Sequence, residues 1–106
     1  MTATDARQGP PAIPYVDQHH GPRRVVVLHL QRSSTVGSVP VVGVDGRSYV
    51  VVWGSVAFEV PADRPVHLSV HLQLDRLAYA ASTLLLPQHK SELTYSVSWG
   101  RGAELT

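Results

Sequence analysis

The sequence predicts an all-β domain, built as a sandwich or a small barrel. Valine outnumbers isoleucine seventeen to one, and β-branched side chains fit a pleated sheet better than a helix turn. Several short segments alternate apolar and polar residues, which is the period of a strand with one buried face. Glycine, proline and aspartate separate these segments at the short spacing typical of all-β folds.

Length and composition limit the possible classes of protein. The chain has 106 residues, no cysteine and 16% charged residues, so we expect one domain with one apolar core. The absence of cysteine excludes disulfides, thiolate metal sites and a cysteine nucleophile. A net charge of +1 gives no basic surface for phosphates, so we expect no nucleic-acid partner. No apolar segment approaches the ~20 residues that cross a bilayer, so we expect a cytoplasmic protein without membrane insertion.

The first 22 residues differ in composition from the rest. They hold four of the eight prolines and few large aliphatic residues, which is too little apolar area to offset the entropy of ordering. We therefore predict a flexible, disordered tail over residues 1–22 and a single β-sandwich domain over residues 23–106. The alternative is that Ile13, Tyr15 and Val16 dock on the domain or on a partner.

The first half of the domain contains three predicted strands. Residues 24–32 place Val26, Leu28 and Leu30 on one side. Strands over residues 39–44 and 47–53 flank Asp45-Gly46, the pair that favours a type I′ hairpin turn. Pro40 and Gly43 predict that the first of these two strands is bulged or lies at a sheet edge, and the strand from Arg24 is a second candidate edge.

The second half contains three further alternating segments. Their predicted inward residues are Val56, Phe58 and Val60 in the first, Val66, Leu68, Val70, Leu72 and Leu74 in the second, and Leu93, Tyr95, Val97 and Trp99 in the third. Between the last two segments, residues Asp75 to Leu86 fit both a strand and an apolar helical stripe that ends before Pro87.

Two stretches, Val44 to Leu72 and Glu92 to Leu105, resemble a group of small, largely uncharacterised bacterial modules of the immunoglobulin-like and PEGA type. The shared pattern is a VDG turn, a WG turn, a VP turn before an H-x-V strand, and an L-x-Y strand before RG. Here these are Val44-Asp45-Gly46, Trp53-Gly54, Val60-Pro61-Ala62-Asp63, His67 to Val70, and Leu93-Thr94-Tyr95 with Arg101-Gly102. Asp63-Arg64-Pro65 departs from the pattern, which has a turn glycine there.

The resemblance implies an immunoglobulin-like antiparallel β-sandwich of about seven strands, and it favours a strand over Ser82 to Leu86. It implies no reaction, and no functional residue is carried over from it.

Histidines are the first candidate site residues. His67 and His71 share the polar face of one predicted strand, but ~13 Å along the strand is too far for one metal ion. A metal or pH-sensing site would need His29, or another residue, to approach one of them from a neighbouring strand. The alternative is a solvated polar face, so we expect no cofactor.

Aromatic residues are the second candidates. Tyr49, Val51 and Trp53 share one face of a predicted strand, and an exposed row formed by Tyr49 and Trp53, or by Tyr79, would suit a carbohydrate-binding module. The alternative is that both faces of this strand are buried.

No motif points to catalysis. There is no nucleophile elbow, no phosphate-binding glycine loop and no paired acid and base. The sequence therefore favours a non-catalytic interaction or assembly module that binds a protein partner or itself, with edge strands as candidate surfaces. The carbohydrate-binding and histidine-based readings remain the alternatives.

Overall fold

A computed structural model of the chain describes residues 12–31, 39–73, 77–98 and 102–106. The described residues form eight β-strands and no helix, which confirms the all-β class and exceeds the predicted strand count by one. The strands are β1 (Arg23–Leu30), β2 (Val39–Val44), β3 (Arg47–Val50), β4 (Gly54–Pro61), β5 (Val66–Gln73), β6 (Leu77–Leu85), β7 (Glu92–Ser98) and β8 (Gly102–Leu105).

The strands form two four-stranded sheets that pack as a β-sandwich. Sheet A has the order β4-β1-β7-β8 and sheet B the order β3-β2-β5-β6. All neighbours are antiparallel except β1 and β7, which run parallel with Leu28 opposite Leu93. The predicted sandwich is therefore confirmed, with one parallel pair in an otherwise antiparallel arrangement.

The core lies between the sheets and follows the predicted alternation. Alternate residues of β1, β5 and β7 are buried while their neighbours face outward. The largest fully buried side chains include Tyr95, Phe58, Leu28, Leu68 and Leu72. Leu74 and Trp99, also predicted to face inward, lie outside the described residues.

The β2–β3 hairpin forms as predicted at Asp45-Gly46, where both residues have positive φ, 47° and 89°. The prediction that the Pro40 strand is an edge is wrong, because β2 lies between β3 and β5. Pro40 is tolerated there because the β2–β3 register ends at Val41 opposite Val50. Its carbonyl still accepts a hydrogen bond from Val51 N at 3.1 Å, so the missing N–H falls at the end of the ladder.

The strand from Arg24 is also internal rather than an edge. β1 pairs with β4 on one side and with β7 on the other. The edges of the two sheets are β3, β4, β6 and β8.

The ambiguous segment after Asp75 is a strand from Leu77 onward. The β5–β6 register shifts between Val70, which faces Ala81, and Leu72, which faces Ala78. His71 thus lies opposite two residues of β6, a β-bulge, and one of them, Tyr79, has a positive φ of 53°.

The structure differs from the predicted flexible tail over residues 12–22, here called the strap. Ile13 forms a parallel bridge with Phe58 of β4, and Tyr15 is buried within the core cluster. The rest of the predicted tail, residues 1–11, lies outside the described residues.

Candidate functional site

The sheet edges are the first feature that bears on function, because an uncovered edge strand offers unpaired backbone groups to another chain. The β4 edge is covered by the strap. Ile13 N donates a hydrogen bond of 2.9 Å to Ala57 O, and Glu59 N donates one of 2.8 Å to Ile13 O. The edges β6 and β8 pack against each other. Among the described residues, this leaves the β3 side of sheet B without a covering element.

The end of β3 and the three residues that follow it, residues 48–53 and here called the β3 edge, carry exposed apolar side chains. Val50 is 74% and Val52 80% exposed, the highest fractions among the exposed large hydrophobic residues of the described chain. Val51 N donates a hydrogen bond to Pro40 O, so its N–H points towards β2 and away from the open side. Because backbone groups of successive strand residues point to opposite sides, those of Ser48 and Val50 point outward. The segment, SYVVVW, contains no charged residue.

The strap is held against the β2–β3 turn by a polar network around Tyr15. Its hydroxyl donates to Asp45 Oδ2 at 2.8 Å and accepts from Arg64 Nη2 at 2.6 Å. The guanidinium carbons of Arg23 and Arg64 lie 5.9 Å and 5.6 Å from the centre of the Tyr15 ring. Burial and the bond to Asp45 raise the pKa of Tyr15.

Further contacts tie the strap to both sheets. Arg23 Nη1 donates to Tyr15 O at 3.0 Å and to Glu59 Oε1 at 2.9 Å. Arg47 Nε donates to Asp17 Oδ1 at 2.9 Å. These charged groups are thus paired with each other, and the network is suited to fastening the strap.

His29 takes part in a hydrogen-bonded chain that crosses three strands of sheet A. Its Nδ1 lies 2.9 Å from Ser55 Oγ on β4, and its Nε2 lies 2.7 Å from Glu92 Oε1 on β7. A carboxylate only accepts hydrogen bonds, so Nε2 carries a proton and Nδ1 of the neutral ring accepts from the serine. The order serine, histidine, carboxylate is that of hydrolytic triads, but the ring nitrogens are exchanged, since a triad has Nε2 towards the serine and Nδ1 towards the carboxylate.

This chain of side chains lies on the open outer face of sheet A. Ser55 is exposed, and the side chains of His29 and Glu92 are 38% and 69% exposed. Water reaches all three groups, whereas the electrostatic stabilisation of a transition state is strong in a site that excludes water. We interpret the arrangement as a clamp between neighbouring strands.

The structure does not bring His29 together with His67 or His71, the approach that the candidate histidine site required. His29 faces outward from sheet A, while His67 and His71 face outward from sheet B, so the core separates them. His67 and His71 line a shallow depression of about 300 Å³ between β5 and β6. No group of three or more metal-ligating side chains occurs in the part of the chain that the structure describes.

The aromatic candidates pack against the core. The Tyr49 ring meets Phe58 edge-on with centroids 5.4 Å apart. Trp53 and Tyr79 are likewise partly buried against the core cluster. On the segment that carries Tyr49 and Trp53, the exposed side chains are those of Val50 and Val52, which point the other way. The three aromatic residues therefore do not supply an open platform for sugar stacking.

Sequence reasoning missed two features, the serine–histidine–glutamate chain and the strap network. Neither has a local motif, since Ser55 and Glu92 are 26 and 63 positions away from His29. The signal for the strap was the set of apolar residues Ile13 and Tyr15 within a proline-rich segment.

The chain was compared with protein-family models, with curated proteins and with solved structures, and none of the three comparisons found a match. Within the described ranges, no helix is long and apolar enough to cross a membrane.

Proposed function

We propose that this protein is a non-catalytic interaction or assembly module with an immunoglobulin-like β-sandwich, and that it binds a protein partner through the β3 edge. A partner would add an extended strand beside β3, a mode in which backbone hydrogen bonds give affinity and side chains give specificity.

The observation that supports this proposal is the contrast between two edge strands on the same side of the sandwich, β4 of sheet A and β3 of sheet B. The β4 edge is covered by the strap through two backbone hydrogen bonds. The β3 edge carries Val50 and Val52, which are 74% and 80% exposed. Natural sheets protect exposed edges with charges, proline or covering segments. An uncharged, valine-rich edge is therefore favourable for binding another polypeptide and unfavourable for an isolated monomer.

Site-specific photo-crosslinking in the cell of origin tests the proposal. A photoreactive residue at position 52 is compared with one at Leu84, an apolar residue of the same sheet that is 53% exposed. We expect a discrete crosslinked polypeptide from position 52 and none from position 84. Equal, diffuse labelling from both positions would contradict a binding role for the β3 edge.

A further inference from the structure

We propose that the strand that binds the β3 edge is the β3 edge of a second copy of this chain, antiparallel to the first about a two-fold axis beside Val50. This inference rests on the proposed function and names its partner.

The backbone arrangement fits such a pair. Within β3 the outward-pointing backbone groups belong to Ser48 and Val50, and a partner strand that pairs beyond the end of β3 would extend this alternation to Val52. With Val50 opposite Val50 of the copy, Ser48 falls opposite Val52, so outward-pointing groups meet outward-pointing groups throughout. The same surface is used by both copies, which makes the contact closed and two-fold.

The side chains fit the same register. Val50 lies on the outer face of sheet B, opposite Val41, and Val52, two residues further along the chain and 80% exposed, also faces solvent. In the antiparallel pair, the two Val50 side chains are directly opposed and each Val52 lies diagonal to them. Four valines from the two copies then form one apolar cluster at the axis, where each covers area that is exposed in the single chain.

The charge distribution along the β3 edge is also compatible with a second copy of the chain as the partner. Residues 48–53 carry no charge, so no like charges oppose each other across the axis. The nearest charged residue of the hairpin, Arg47, is paired with Asp17 of its own strap at 2.9 Å. By comparison, the β4 edge presents Glu59 and the β8 edge Glu104, and two copies of either edge would bring carboxylates towards each other.

The pairing ends at two copies and is weak. Each copy has one β3 edge, while β4 is covered by the strap and β6 packs against β8. Six paired residues form a contact only ~20 Å long and one strand wide, which buries less than the ~800 Å² per partner of a standard interface. We therefore expect a reversible dimer with a dissociation constant in the micromolar range.

Sedimentation velocity of the full chain from micromolar to millimolar concentration tests this inference. We expect the dimer fraction of the wild type to rise with concentration. Val50→Lys and Val50→Glu should each weaken the dimer at least about tenfold, because each brings two like charges together at the axis. Leu84→Lys, on the other side of sheet B, should leave the dimer unchanged.

The most discriminating sample is an equal mixture of the Val50→Lys and Val50→Glu chains, in which the dimer fraction is measured again by sedimentation velocity. We expect this mixture to form a heterodimer although neither variant associates alone, because opposite charges then meet at the axis. Unchanged thermal midpoints would show that both variants are folded.

The inference is overturned if the wild type remains monomeric throughout, or if it dimerises and Val50→Lys has no effect. A monomeric wild type together with a discrete crosslink from position 52 to a different polypeptide would overturn the second copy and leave the β3 edge as the binding surface. A monomer with no such crosslink would overturn both proposals.

Discussion

The Tyr15 hydroxyl donates a hydrogen bond of 2.8 Å to Asp45 Oδ2, although the two residues are thirty positions apart. Asp45 is the first residue of the β2–β3 turn and has a φ of 47°. Its other carboxylate oxygen, Oδ1, accepts a hydrogen bond from His67 N at 2.9 Å. One carboxylate therefore joins the strap, the hairpin turn and β5.

Tyr15→Phe tests the strap anchor. It removes the donor to Asp45 and the acceptor for Arg64, and we expect the free energy of unfolding to fall by about 1.5–3 kcal/mol, the range for hydrogen bonds to charged groups. Urea denaturation measures the change. The backbone amide of Glu59, which donates to Ile13 O, should also exchange faster because the strap is released more often.

Val16→Ala is the control for this variant, because Val16 lies on the same strap and is 55% exposed. We expect no measurable change from it. A Tyr15→Phe protein as stable as the wild type, with unchanged exchange at Glu59, would show that the strap is held by its other contacts.

Tyr95 predicts how stability changes at alkaline pH. Its hydroxyl donates to Tyr79 O at 2.6 Å, and burial, with a smaller contribution from Tyr79, raises its pKa to about 12. A tyrosine in the unfolded chain loses its proton near pH ~10. Between these values the unfolded state binds fewer protons than the folded state, so stability is complete below pH ~10 and decreases as pH rises towards ~12.

We expect this loss to amount to roughly 2–3 kcal/mol, measured by denaturant unfolding from about pH 9 upward. The pKa of Tyr15 is also raised, so its contribution has the same sign. Tyr95→Phe should cost about 1 kcal/mol at neutral pH but show a shallower alkaline decline. An equally steep decline in Tyr95→Phe would assign the effect to other groups.

We expect Gly46 to be essential to the β2–β3 hairpin turn because its backbone adopts a positive φ that most other residues disfavour. It has a φ of 89°, and an added Cβ would meet no atom within 4 Å. Gly46→Ala should therefore lower stability by about 1–3 kcal/mol through backbone strain alone. Gly46→Asn should be milder, because asparagine tolerates positive φ. Thermal unfolding of both variants measures the difference, and equal losses would point to a cause other than φ.

At Gly43, by contrast, we expect a larger residue to be excluded by lack of space next to the neighbouring strand β5. An added Cβ would collide with Ser69 Oγ across the β2–β5 pair. We expect Gly43→Ala to be destabilising in the wild type and close to neutral in a Ser69→Ala background, which removes that oxygen. Equal costs in both backgrounds, in a thermal-unfolding double-mutant cycle, would contradict this explanation.

The Ser55–His29–Glu92 chain is expected to be structural. Because all three groups are open to water, the wild type and Ser55→Ala should hydrolyse p-nitrophenyl acetate at the same rate per molecule. Absorbance of the released nitrophenolate measures this rate. A burst of product from the wild type that Ser55→Ala abolishes would instead identify an active serine and contradict the non-catalytic proposal.

The strands that were predicted well share one property, a regular alternation over a single buried face. In β5, Val66, Leu68, Val70 and Leu72 are all buried as expected, because a strand with one face on the core needs apolar residues at every second position. β6 was ambiguous for a physical reason. The bulge opposite His71 inserts an extra residue, which breaks the period of two and produces spacings that also fit a helix.

The candidate sites were less predictable, because they depend on which strands become neighbours. His29, His67 and His71 all face outward, as their alternation indicates, but they lie on opposite sheets. For Tyr49 and Trp53, the pattern placed both on one face, and packing made that face the inner one. Val50 and Val52 occupy the alternate positions of the same segment and are therefore exposed.

The sequence by itself determined the all-β class, the Asp45-Gly46 turn and the inward face of most strands, since turn chemistry and alternation act over a few neighbouring residues. Tertiary structure alone decided which strands are edges, where the strap lies and which edge has no covering element among the described residues. Those outcomes depend on contacts between residues far apart in the chain, such as Ile13 with Ala57 and Glu59 and Tyr15 with Asp45, and no local pattern specifies such partners.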